Sequence, residues 1–216
     1  MTTQTFPHEI EYYRTEKGNA PFKEWLEALR DVNGRAKIRV GLDRARLGNF
    51  GDHKHLDEGV WELRIDYGPG YRVYFAKEEN RLILLLIGGD KGSQKRDIAQ
   101  PPATCRTTEG DISMTHVTDY QKDLIEALKD PAEAAAYLNA ALEEGDRETF
   151  LLALRNVAEA NGGMAAVADK AHLNRESLYR TLSRRGNPEI RTLFNLLHGV
   201  GLRLNITPET LHDCSG

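Results

Sequence analysis

The apolar period changes along this chain, and it changes across a stretch that has no period of its own. In "QKRDIAQPPATCRTTEGDISMTHVTDYQKDLIEAL", from Gln94 to Leu128, a Lys- and Arg-rich segment ends at Gln100 and thirteen residues then lack apolar periodicity. Met114 follows, with a helix-start signal four residues later. Ahead of this stretch the pattern mixes periods of 3.6 and 2, and behind it the period is helical almost to the end. No repeat relates the two parts. Two unlike domains, 1–100 and 114–216, joined by a linker over 101–113, are therefore expected. Extended, the linker spans at most roughly 45 Å.

In the first half, "APFKEWLEALRD" puts Phe22, Trp25, Leu26 and Leu29 on one helical stripe, and "GRAKIRVGLDRARLG" repeats this with Ile38, Leu42 and Leu47 after a break at Asn33-Gly34. A helical hairpin is predicted. From Gly59 the pattern alternates: Trp61, Leu63 and Ile65 oppose Glu62, Arg64 and Asp66, and after "YGPG" Tyr71, Val73 and Phe75 oppose Arg72 and Tyr74. "RLILLLIGG" reads as a central strand buried on both faces, and "EIEYYRT" as one strand more. The fold class is α+β, a helical hairpin on an antiparallel sheet.

The second half carries legible caps: a Thr118/Gln121 capping box, Asp130 before Pro131, Asp146, Asn174 and Asn187-Pro188. They predict helices over about 118–129, 131–144, 146–160, 163–171, 174–185 and 188–199, with "LRLNIT" as a short C-terminal strand.

Composition bounds function only loosely. Hydrophobic residues at 40% and charged residues at 29% describe an ordinary globular chain. No apolar run approaches the ~18–20 residues of a membrane span, and the N-terminus lacks a basic start and an apolar signal core, so no membrane partner and a cytoplasmic location are expected. Cys105 and Cys214 have no ligand or redox partner nearby in sequence, so neither a metal site, a structural disulfide nor any cofactor is predicted. The net charge of −4 is divided unevenly: residues 1–100 hold 17 Lys and Arg against 16 Asp and Glu, residues 101–216 hold 12 against 17.

"GMAAVADKAHLNRESLYRTLSRRGNP" carries the sharpest signal. A short helix with Ala165, Ala166 and Ala168 is followed by a tight turn at His172-Leu173 and a helix capped by Asn174, with Leu178 and Leu182 inward. Small residues let the helices cross closely, and the turn fixes the angle that a helix-turn-helix needs to enter a DNA major groove. Outward positions are Arg175, Glu176, Tyr179, Arg180, Ser183, Arg184 and Arg185. Arg175, Glu176 and Tyr179 are expected near base edges, and Arg180, Arg184 and Arg185 near phosphates. The run from Asp119 to Pro208, with "NRESLYRTLS", "GNP" and "LLHGVGLRL", resembles the HigA-type addiction-module antidote proteins, helix-turn-helix antitoxins that repress their own operon. The resemblance implies operator DNA as partner and a homodimer on a palindromic site.

The first half has no CxxC, HExxH, P-loop or Ser-His-Asp pattern. It offers cations and amides around a sheet: Lys54, Arg64, Arg72, Tyr74, Lys91, Gln94, Lys95 and Arg96. A hairpin centred on Gly68 sets Arg64 directly across from Arg72, which is unfavourable unless an anion lies between them. That anion is either a phosphate or a neighbouring carboxylate such as Glu62 or Asp66. A metal-free ribonuclease fits this inventory, with Arg64, Arg72 and Lys91 on the phosphate and Lys54, His53, His55 or Tyr74 moving protons. The histidines suit a solvent-facing loop as well as they suit catalysis.

"FGDHKHLDEGVWELRIDYGPGYRVYF" and "LLLIGGDKGSQKRDIAQ" resemble the addiction-module killer proteins, relatives of HigB in the RelE-like toxin superfamily, over about Phe6 to Gln100. The resemblance implies an mRNA endonuclease, commonly ribosome-dependent, with Arg64, Arg72 and Lys91 as the sheet-borne basic residues and Lys54 and Gln94 next. Killer first and antidote second matches the HigB-HigA order, so the chain reads as a toxin and an antitoxin in one polypeptide. A tether raises the effective concentration of the antitoxin to about millimolar, so the nuclease is expected to be silenced, with the acidic helices of 118–160 covering the basic sheet. The rival reading is a DNA-binding regulator whose first domain serves only dimerisation or sensing.

Overall fold

The computed structural model of the protein describes residues 6–56, 59–78, 82–92 and 117–206. Gln94, Lys95, Arg96, the 101–113 linker, Met114 and both cysteines lie outside the described residues. β1 (Glu9–Tyr13) leads into α1 (Pro21–Ala28) and α2 (Val32–Arg46), followed by β2 (His53–His55), β3 (Val60–Ile65), β4 (Tyr71–Glu78) and β5 (Leu82–Asp90). After β6 (Val117–Asp119) come α3 (Tyr120–Ala127), α4 (Pro131–Glu143), α5 (Arg147–Ala160), α6 (Gly163–Lys170), α7 (Arg175–Thr181) and α8 (Ile190–Gly199). No helix among the described residues is long and apolar enough to cross a membrane.

The sheet order is β2-β3-β4-β5-β1-β6. It is not the wholly antiparallel sheet expected: β1 runs parallel to β5, with Glu9 opposite Leu82 and Tyr12 opposite Leu85. Leu84, Leu85 and Leu86 of β5 are all buried, and a strand apolar on both faces is stable only with a neighbour at each edge. β4 takes one edge. A parallel neighbour on the other requires a long crossover, which the helical hairpin and β2–β4 supply. β6 then covers β1, Tyr12 facing Thr118, so a strand from the second half completes the sheet of the first.

The hairpin breaks at residues 29–31 rather than at Asn33-Gly34. Gly34 lies inside α2, where a Cβ would meet the Tyr71 hydroxyl at 2.7 Å. The glycine therefore marks close approach of the helix to the sheet, not a turn.

Asp130, Asp146 and Asn174 cap α4, α5 and α7 as expected, each accepting backbone N–H groups of the first turn. Asp119, not Thr118, caps α3, because Thr118 is drawn into β6. α8 starts behind Glu189, two residues beyond Asn187-Pro188. Residues 202–206 form no strand; the Leu202 N–H donates to Leu197 O at 2.8 Å, which spends it on closing α8.

α2 is the middle layer. Its buried residues run almost unbroken from Gly34 to Ala45 and include Arg39 and Asp43. One side faces the sheet, where a Cβ on Gly41 would touch Ile65 at 3.4 Å, and the other packs on α4 and α5. A single apolar cluster runs from Ile10 and Phe22 through Leu42, Tyr137 and Leu154 to Leu197.

Polar groups set the register of this seam. Glu133 of α4 receives both Arg35 and Arg39, Arg44 pairs with Glu144, Lys37 with Glu143 at 2.7 Å, and Lys23 with Asp123 at 2.6 Å. The amide of Gln121 accepts from Arg46 and donates to Asn156 at 2.9 Å. At the centre, fully buried Asp43 accepts from the Tyr137 hydroxyl, which itself accepts from Asn156 at 2.8 Å.

Burial pushes the Asp43 carboxyl up to about 6, against the opposing pull of Tyr137, Arg46 and Arg39. The folded chain therefore holds this proton more tightly than the unfolded chain does. The resulting stabilisation is full below the ordinary carboxylate range and is lost as pH rises through about 6. Asp43→Asn keeps an acceptor for Tyr137 and removes the titration. Denaturant unfolding should show wild-type stability, relative to Asp43→Asn, falling by up to about 3 kcal/mol between about pH 4 and pH 7.

Candidate nucleic-acid interface

The β3–β4 hairpin turns through Gly68 and Gly70, both at positive φ. Its register places Arg64 opposite Arg72 and Glu62 opposite Tyr74. β2 extends the row, with Lys54 opposite Glu62. Directly opposed residues share a face, so Lys54, Glu62, Arg64, Arg72 and Tyr74 occupy the face turned away from α1 and α2. Lys91 is exposed just past β5 and donates its backbone N–H to Gly70 O at 3.0 Å, at the end of the hairpin. Of the residues predicted for RNA chemistry, Lys54, Arg64, Arg72, Tyr74 and Lys91 are thus placed on or beside one face. Gln94 lies outside the described residues.

The anion between the two arginines is a glutamate of the protein. Glu62 Oε1 accepts from Arg64 Nε at 2.6 Å and from Arg72 Nη1 at 3.1 Å. Its side chain is 0% exposed, while Arg64 is 38% and Arg72 13% exposed, so Arg64 is the more reachable cation. The hydrogen bond to Glu62 raises the Arg64 guanidinium above its ordinary range. Asp52, on the solvent side, stands 3.7 Å from Arg64 Nη1. The alternation had marked this face as polar, but Val60, Tyr74, Ala76, Leu84 and Leu86 are buried together on it.

His53 and His55 pair with Leu63 and Trp61 and so lie on the other face. His53 stacks on Trp61 at 5.6 Å and His55 meets its edge at 4.8 Å. Lys77 sits over the rings of Phe50 and Trp61, at 3.8 and 4.1 Å from their centroids. This aromatic and cationic packing went unread in the sequence because its members belong to four different segments. The acidic helices of 118–160 lie on α2 and β1 and do not cover the arginine face as expected; charge matching to the basic α2 directs them there.

In the second half, α6 and α7 meet through a turn in which His172 has φ of +53°. The Leu173 N–H closes it on Ala168 O at 2.8 Å. Leu178 and Leu182 are buried, and Arg175, Glu176, Tyr179 and Arg180 are exposed on one short helix, with the Arg175 guanidinium 5.7 Å above the Tyr179 ring. The helix ends at Thr181, so Ser183, Arg184 and Arg185 sit in the following turn rather than on the helix. Gly186 forces this: the chain folds back so tightly that a Cβ there would stand 1.8 Å from Thr181 O. The Ser183 hydroxyl donates to Arg180 O at 2.7 Å, and Arg155 of α5 donates to Leu182 O. Arg184 is bound to Glu148 of α5 at 2.7 Å. Neither Arg155 nor Glu148 was singled out in the sequence, since both act across about thirty residues of chain.

Residues 118–208 match the family model described as "Probable addiction module antidote protein", and residues 24–102 match "Phage derived protein Gp49-like (DUF891)". An uncharacterized protein of Haemophilus influenzae (strain ATCC 51907 / DSM 11121 / KW20 / Rd) is 45% identical over 84 residues, which is 39% of this chain and 85% of that protein. A second uncharacterized protein of the same strain is 34% identical over 84 residues, 39% of this chain and 86% of its own length.

The Arg184–Glu148 pair is exposed and so worth little to stability. It does hold Arg184 away from other anions. Glu148→Gln should leave the melting temperature within a few degrees, measured by thermal unfolding.

Proposed function

We propose that this chain, whose second half belongs to the addiction-module antidote family and whose first half is Gp49-like, is a toxin and its antitoxin in one polypeptide, of the HigB-HigA type. In this reading the first half is a RelE-like mRNA endonuclease that works without a metal. The second half restrains it and binds operator DNA as an autorepressor. The observation that carries the nuclease reading is the placement of Lys54, Arg64, Arg72 and Tyr74 on one sheet face.

Arg64, with Lys54 and Lys91 beside it, binds the scissile phosphate. Lys54, exposed on this face, takes the proton of the 2′-hydroxyl, whose oxygen attacks the adjacent phosphorus. The bond to the 5′-oxygen breaks, that oxygen receives a proton, and the products are a 2′,3′-cyclic phosphate end and a 5′-hydroxyl end. Cations aimed at the extra charge of the transition state supply the electrostatic part of the acceleration. Restraint acts from the helical layer, since α3–α5 sit on α2 and β1 while Arg64 stays 38% exposed.

A second reading has an observation of its own. Glu62 already compensates the arginine pair, which also suits a first half that is a non-catalytic dimerisation or sensing module. Glu133→Lys separates the two readings by setting a third cation against Arg35 and Arg39 and unseating α4, at a cost of about 3–5 kcal/mol. Induced in cells, this variant should arrest translation where the wild-type chain does not, and adding Arg64→Ala, Arg72→Ala and Lys91→Ala should abolish the arrest. An unseated chain that stays harmless favours the regulator.

For DNA binding, Arg175, Glu176 and Tyr179 lie on the exposed face of α7 and reach base edges, while Arg180 and Arg185, joined by Arg184 once it leaves Glu148, hold phosphates. A homodimer, joined through the exposed Ile190 and Phe194 of α8, sets two such helices on a palindrome. Arg175→Ala should weaken operator binding by about 1–3 kcal/mol and barely change binding to random duplex.

A further inference from the structure

A buried carboxylate at the centre of a phosphate-binding face is an unexpected resident, because its charge repels the ligand. Glu62 is 0% exposed, yet one of its oxygens is shared by two guanidiniums from adjacent strands. Hydrogen bonds from Arg64 Nε at 2.6 Å and Arg72 Nη1 at 3.1 Å orient both groups on Glu62, while the Arg64 side chain stays 38% exposed with its Nη1 3.7 Å from Asp52. The Arg72 Nε is buried and has no hydrogen-bond acceptor among the described residues, so the reachable donors of the fork are those of the more exposed Arg64. Two arginines and one glutamate carry one net positive charge.

We propose that Glu62 is a positioning and charge-setting residue: it holds Arg64 and Arg72 as a fork of single net charge, matched to the internal phosphodiester of a polynucleotide and set against free or terminal phosphate. The inference rests on the reading of this face as an RNA-phosphate site. A phosphodiester carries one negative charge, and a phosphate monoester about −1.5 to −2 near pH 7. Two arginines without their glutamate would favour the more highly charged ion. With Glu62 in place the excess positive charge equals one diester, and attraction to chain ends or to free phosphate is reduced. Asp52 acts in the same sense from outside, more weakly because it is 67% exposed and screened by solvent. Lys54, exposed and directly opposite Glu62, adds a cation to the rim and not to the bridge.

The test uses the full chain and two probes: inorganic phosphate, and a 2′-deoxy hexanucleotide without terminal phosphates, which offers only diesters and cannot be cleaved by its own 2′-oxygen. Calorimetric titration gives the ratio of the two affinities. Glu62→Gln keeps an oxygen acceptor and removes the charge. It should shift the ratio toward inorganic phosphate by about tenfold, the scale of one unit charge several ångström away at a partly exposed site. Glu62→Asp, which keeps the charge, should return the ratio to near the wild-type value even where both affinities fall because the bridge is shortened. A general loss of structure would weaken both probes and leave the ratio alone.

A folded Glu62→Gln chain with the wild-type ratio overturns the proposal. Should that variant fail to fold, Asp52→Asn, at an exposed position, should move the ratio the same way by about twofold, and no movement there overturns the proposal instead. A wild-type chain that binds neither probe better than its Arg64→Ala/Arg72→Ala variant sinks the phosphate-site reading itself, a result distinct from an unchanged ratio.

Discussion

The rest of the structure depends on α2 being buried on both faces while carrying charge. A helix wedged between a sheet and a helical layer cannot turn its polar residues to water, so each must find a partner in the layers around it. Asp43 finds the Tyr137 hydroxyl, and Arg35 and Arg39 find Glu133. Removing either partner would leave an uncompensated charge in the interior, which costs more than the pair contributes. That asymmetry ties the two halves to one register. It also explains why β6 continues the sheet of the first half, since the chain re-enters the fold beside β1 and passes directly into the layer that covers α2.

The same device recurs on the far side of the sheet. Glu62 lies between Arg64 and Arg72 as Glu133 lies between Arg39 and Arg35, one carboxylate serving two guanidiniums each time. The surroundings differ. Glu133 and its arginines join two layers, and their side chains are 8–15% exposed. The Glu62 cluster has Arg64 at 38% exposure on its outer side, so there one of the two paired cations reaches solvent, while Arg72 at 13% is as covered as Arg35. Burial of the carboxylate is what orients the arginine, and exposure of the arginine is what leaves it usable.

Much of this was legible in the residues. The alternation of β3 and β4 with the Gly-Pro-Gly turn led to the Arg64–Arg72 register, because side chains alternate strictly along a strand and a tight turn fixes the pairing. The capping aspartates and Asn174 located the helix starts, because a cap is a local bond within three residues. Local reasoning went astray where a distant group intervened. Asn33-Gly34 resembled a break because the close approach of Tyr71 was not visible, and "LRLNIT" resembled a strand because its first N–H was not known to close α8. Arg184 read as a free cation until Glu148, thirty-six residues earlier, came beside it.

The sequence by itself determined most of the elements, most helix starts and which residues of β3 and β4 share a face, since those follow from periodicity and from bonds that close within a turn. The short strands β2 and β6, read as a loop and as a helix start, exist only through their pairing with β3 and β1. Only the tertiary structure decided that β1 lies parallel to β5, that the acidic helices settle on α2 instead of on the arginine face, and that the anion between Arg64 and Arg72 is Glu62. Each of these is a choice among several oppositely charged or apolar partners of similar local merit. Such choices are settled by which arrangement leaves no buried charge or strand edge unpaired, a condition on the whole chain that no short stretch of it contains.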